Sequence, residues 1–126
     1  VGIRRPLGVG AAGIALLMGL EDWEIDEILE ANAPRLRRYG ALDPSSVKEM
    51  VVRARELGYA LNDRQVTPGA MSVGLPLVRR SGPAVAAVSI GAINARMSSE
   101  RQIELIGILR EELRVLEGLL SKKTGI

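Results

Sequence analysis

The chain has 126 residues and a mass of 13.5 kDa, the size of one domain that can bury about two-thirds of its unfolded surface. Apolar residues make up 47% and aromatics only 2%, with no Phe, so the core must be aliphatic. There is no Cys and no His, which excludes Cys/His zinc sites, thiol nucleophiles, disulfides and histidine-dependent triads; 17 cations against 15 anions leave a net charge of only +2.

Val1 to Leu7 opens abruptly on Arg4-Arg5-Pro6 and reads as the continuation of a longer chain. Residues 10–20 suit a short helix buried nearly all round. A second helix begins near Glu21 and Asp22, whose charges favour a helix N-terminus, carries Ile25, Ile28 and Leu29 on one side, and is expected to end at Pro34. Asp43-Pro44 caps a third, with Val47, Met50, Val51 and Ala54 as its stripe and Gly58 as its stop.

The period then changes to two. Tyr59 to Asn62 reads as a short strand and Thr67-Pro68-Gly69 as a turn. From Ala70 to Val78, Met71, Val73, Leu75 and Leu77 alternate with smaller residues. Arg80-Ser81-Gly82 reads as a hairpin turn, followed by a strand over Ala84 to Ala92. Residues 98–120 close the chain as a long helix, with Ile103, Ile106, Leu109, Leu113, Leu116 and Leu120 expected to face the sheet. Three helices, then strands, then a helix predict an α+β fold with helices packed on an antiparallel sheet.

The longest apolar run, Ala11 to Leu20, is too short to span a bilayer, and no signal-peptide cleavage site follows it; a cytoplasmic protein is expected. Arginines are scattered as short pairs, whereas a DNA-binding face needs clustering. No catalytic pair of acids stands out. The acids Glu21, Asp22, Glu24, Asp26, Glu27 and Glu30 spread around a helix and read as a solvated face, not a metal site.

Gly8, Gly10 and Gly13 spell G-x-G-x-x-G, the dinucleotide fingerprint, but Arg4-Arg5-Pro6 stands where its strand belongs. A tightly packed helix start fits better, and the free N–H groups there could also hold a small anion such as a carboxylate. A tight turn at Arg80-Ser81 would set position 72 opposite 89, bringing Ser72, Gly74, Ala87, Ser89 and Gly91 onto one face. Such a face is either the floor of a ligand pocket or a seat for a closely packed helix. No acid lies between Gln65 and Met97, while Arg79, Arg80 and Arg96 do, and Arg4 and Arg5 precede the glycine-rich start. That balance suits an anionic ligand or a set of solvated surface arginines.

Arg5-Pro6-Leu7-Gly8 leading to Ala11-Ala12-Gly13-Ile14-Ala15-Leu16-Leu17 resembles the "P-L-H-x-T-A-x-G-K-A-L-L-A" stretch of the IclR family of bacterial transcription regulators. Gly58-Tyr59-Ala60, then Gly69, then Ser72-Val73-Gly74-Leu75-Pro76-Leu77 resembles its "G-Y-A … E-x-x-x-G-x-x-C-I-A-A-P-V". Ala86-Ala87-Val88-Ser89-Ile90 is similar to the strand that follows. The likeness runs from about residue 2 to 120. Against the family pattern, Ile14 replaces a frequent Lys, Gln65 an acid, Ser72 a Cys and Gly8 a His.

The resemblance implies a GAF-like effector-binding domain over residues 1–126, without its N-terminal strands and without the DNA-binding domain. It implies a small carboxylate-like metabolite as effector, a homodimer or homotetramer, and DNA contact only through the missing winged helix-turn-helix. Family ligand contacts fall on the backbone of Ala11 and Ala12 and on Asn62, Ala70, Ser72, Ser89 and Gly91. The expected role is thus a sensor and not an enzyme, with no cofactor; the alternative is a ligand-free oligomerisation module of a regulator, with a nucleotide-dependent enzyme a distant third.

Overall fold

The computed structural model describes residues 2–40, 42–63, 68–79 and 83–124. Three helices come first: α1 (Gly10–Met18), α2 (Asp22–Leu36) and α3 (Pro44–Leu57). Strands β1 (Ala60–Asn62), β2 (Ala70–Val78) and β3 (Ala84–Ile93) follow, then a 3-10 turn at Asn94–Arg96 and the long helix α4 (Ser99–Thr124). The strands form one antiparallel sheet in the order β1-β2-β3. The expected α+β architecture, antiparallel sheet with packed helices and a long C-terminal helix, is the one observed.

Alternation along the strands splits the core in two. Leu61, Val73, Leu75 and Leu77 point to one face and pack with Met97, Ile106 and Leu113 beneath α4. The other face carries small residues and takes α1, behind which α2 and α3 complete a second cluster that includes Ile14, Leu17, Leu29, Val47 and Val51. No residue of α1 is exposed, as its nearly continuous apolar sequence requires.

Side chains fix the ends of these elements. Asp43 accepts from the Ser46 N–H at 2.7 Å, Ser46 Oγ accepts from the Asp43 N–H at 3.0 Å, and Gly58 closes α3 at φ +84°. Glu21 and Glu24 form the equivalent box at α2. Arg55 donates to the Met18 and Leu20 carbonyls at 3.1 and 2.8 Å and to Asp22 at 2.7 Å, so one side chain caps α1 and ties it to α3. On the α4 face, Tyr59 donates to Gln102 at 2.9 Å and the Gln102 amide donates to the Met97 carbonyl at 3.1 Å, which locks α4 in place.

Three sequence expectations need correction. Pro34 does not end α2; the helix continues to Leu36. A proline this near the C-terminus costs one backbone bond, and the full burial of Leu36 offsets it. On α4 the inward stripe is Gln102, Leu105, Ile106, Leu109, Leu113 and Leu120, whereas Ile103 is 67% and Leu116 43% exposed. Position 103 turns away because a polar residue, Gln102, takes the inward place by satisfying its amide internally. Ser72 is opposite Gly91, not Ser89, because the β2–β3 connection is longer than a two-residue turn and the register shifts at Leu77/Val78. The Arg80-Ser81-Gly82 turn itself lies outside the described residues, as do Gln65 and Thr67.

Candidate ligand cleft

The register assembles the site. Asn62 of β1 pairs with Ser72 of β2, and Ser72 with Gly91 of β3, so the three form one row across the sheet on the α1 face. The next row inward is Ala60, Gly74 and Ser89, which sets Ser89 diagonal to Ser72. Both rows face the start of α1.

Gly74 and Gly91 divide the labour of that face. A Cβ at Gly74 would sit 3.0 Å from the Val88 carbonyl oxygen and 3.2 Å from Ala11 backbone atoms, so glycine there lets α1 seat directly on the sheet. A Cβ at Gly91 would meet nothing closer than 3.7 Å. Small residues therefore serve helix packing at 74 and leave open space at 91.

The open space is a cleft of about 460 Å³, within the size range of small-molecule sites. Ala11, Ala12, Asn62, Ala70, Ser72, Ser89 and Gly91 all line it. The N-terminal segment adds Ile3, Arg5 and Leu7, and Leu16 and Met71 complete the apolar wall. Sequence reasoning met Arg5 in the charge pattern and in the family-like stretch without placing it in the site; the apolar wall was not named, because such residues read as ordinary core.

The glycine-rich start is a turn, not a nucleotide loop. The described residues before it, 2–9, form no strand. Gly8 adopts φ +101°, and a Cβ on Gly13 would approach the Gly8 backbone nitrogen to 3.0 Å, so these glycines fold the chain tightly onto α1. The N-cap position is Val9, which supplies no side-chain cap. Among the described residues the first-turn N–H groups of α1 have neither an intrahelical acceptor nor an N-cap side chain to accept from them, at the end where the helix dipole is positive.

Of the arginines flagged in the sequence, Arg5 lines the cleft, whereas Arg4, Arg79 and Arg96 do not; Arg80 lies outside the described residues. Four of the six acids around α2 are engaged elsewhere: Glu21 and Glu24 cap the helix, Asp22 pairs with Arg55 and Asp26 with Lys48. Among the described residues no cluster of metal-ligating side chains forms.

A helix start, two hydroxyls, a buried amide and one cation surround an apolar hollow in a small α+β domain. The family model "Bacterial transcriptional regulator IclR C-terminal" matches residues 1–116, and the chain belongs to that family. It is 29% identical over 124 residues to the HTH-type transcriptional regulator BhcR of Paracoccus denitrificans, covering 97% of this chain and 44% of that protein. Among solved structures it resembles the Agobacterium tumefaciens repressor BlcR at a TM-score of 0.72 and 30% identity, over 100% of this chain and 50% of that one. The C-terminal domain of the E. coli transcriptional regulator KdgR matches at a TM-score of 0.79 and 26% identity, over 94% and 73% of the two chains. The chain spans about half the length of the curated relatives it matches. The family and these relatives are transcriptional regulators, not enzymes. Among the described residues no helix is long and apolar enough to cross a membrane.

Proposed function

We propose that residues 1–126 are a single ligand-sensing domain of a cytoplasmic IclR-type regulator, and that the cleft binds a small carboxylate-bearing effector. The observation that carries this reading is the convergence of all seven family-matched positions on one cleft at an uncapped helix start. A carboxylate there takes the first-turn amides of Ala11 and Ala12, with Ser72, Ser89 and Asn62 as further partners. Occupancy biases one arrangement of the domain over another, and with it the DNA-binding heads of a homodimer or homotetramer. DNA is contacted through the winged helix-turn-helix of the longer protein.

The test is thermal unfolding against a panel of small carboxylates. A ligand at about a hundred times its Kd stabilises by ~2.7 kcal/mol. A hydroxyl bonded to a charged group contributes ~1.5–3 kcal/mol, so Ser89→Ala should weaken binding by about one to two orders of magnitude. Ser89→Leu should fill the cleft and abolish binding. Unchanged affinity in both variants would remove the cleft from the mechanism.

A second reading, a ligand-free oligomerisation module, is favoured by one feature. Ile108, Val115 and Leu119 form an exposed apolar stripe on α4, at 53%, 48% and 57% exposure, on a side that does not meet the sheet. Self-association insensitive to every carboxylate, and abolished by Val115→Glu, would favour this module over the sensor.

A further inference from the structure

Arg5 is the only charged side chain on the cleft among the described residues; no carboxylate lines the space. Nor does any carboxylate of the described residues pair with it. Its guanidinium instead stands 6.0 Å from the centroid of the Tyr39 ring, at the outer limit of a cation–π contact. Tyr39 is itself packed against the helical core cluster, so the ring is a fixed support. A face contact of this kind uses no N–H group, and the guanidinium edge stays free for a bidentate partner.

The charge of the cleft is then uneven. One carboxylate on the α1 amides answers the partial positive charge of a helix start, roughly half an elementary charge. A full positive charge remains at Arg5. Ile3, Leu7 and Leu16 also line the cleft and offer only apolar surface. We infer that Arg5 is the specificity-determining residue of the cleft and that it selects a short aliphatic dicarboxylate over the monocarboxylate of equal length. The inference rests on the sensor reading above and deepens it.

The experiment is calorimetric titration of the intact polypeptide with three matched pairs: succinate and butyrate, glutarate and pentanoate, adipate and hexanoate. At least one dicarboxylate should bind about five- to tenfold more tightly than its partner, a modest gain because Arg5 is exposed. Arg5→Gln should erase that preference by weakening the dicarboxylate about five- to tenfold more than its monocarboxylate partner. Arg5→Lys should keep part of it, because the charge remains while the fork is lost. Raising the salt should shrink the preference in the wild type and leave Arg5→Gln unaffected. Equal binding of both members of every pair, or a preference that survives Arg5→Gln, overturns the inference and leaves the sensor reading standing. Binding of neither class overturns both.

Discussion

The seat of α1 on the sheet can be tested with a pair of glycines from one face. Gly74→Ala places a methyl 3.0 Å from the Val88 carbonyl oxygen and 3.2 Å from the Ala11 backbone carbon and oxygen. These are backbone atoms in a paired strand and a buried helix, and neither can swing aside like a side-chain tip. Overpacking of this kind costs about 1–3 kcal/mol. Gly91→Ala adds the same methyl where the nearest neighbours stand at 3.7 and 4.0 Å. There the loss of unfolded-state freedom should dominate and stabilise by about 0.4–1 kcal/mol. The assay is urea unfolding of both variants beside the wild type. The midpoint should fall for Gly74→Ala and hold or rise for Gly91→Ala, with the slope unchanged in each. Because the strain falls on Ala11, Gly74→Ala should also displace the first-turn amides and weaken any ligand held there. Equal stability of the two variants would refute the claim that Gly74 is where the helix rests.

Leu113→Ala should cost ~2–5 kcal/mol, because Leu113 is buried beneath the sheet, whereas Ile103→Ala should change stability by less than about 0.5 kcal/mol; a reversed order in chemical denaturation would place the wrong face of α4 inward. The Arg55 guanidinium, by hydrogen bond first and by charge second, holds the Asp22 carboxyl below its ordinary value. The folded pKa lies below the unfolded one, so the stabilisation is complete above the unfolded pKa and is lost as pH falls through the folded one. The stability difference between wild type and Asp22→Asn should therefore stay level from about pH 8 to pH 5 and shrink below about pH 4; a difference that persists at lower pH would mean that the ion pair does not carry it.

Element types were legible because each segment carries its own period and punctuation. Asp43-Pro44 and Gly58 bound α3 in sequence and in space, since capping chemistry is local. The errors fall where a distant partner decides. Pro34 is a helix breaker by any local rule, yet Leu36, two residues on, is wholly buried and holds the last turn closed. Along α4 the apolar residues are too many for one stripe, and sequence spacing cannot choose among them. The choice is made by Tyr59, Gln102 and Met97, whose bonds span up to 43 positions of sequence.

The candidate site was readable despite a wrong register, and the reason is parity. Expecting Ser72 opposite Ser89, when Ser72 is opposite Gly91, is an error of two residues. Side chains alternate with period two, so a slip of two moves partners along the strand and leaves every residue on its own face. A slip of one would have carried Ser89 and Gly91 to the α4 side, against Val73 and Leu75. The small-residue face therefore survives any even error in the turn, whereas the pairing within it does not. That distinction bears on chemistry. Two hydroxyls directly opposed across strands would hold one atom between them; set diagonally, in rows with Asn62 and Gly91, they present an extended polar floor. The slip of two thus leaves the lining of the cleft intact and changes only how its polar groups are spaced.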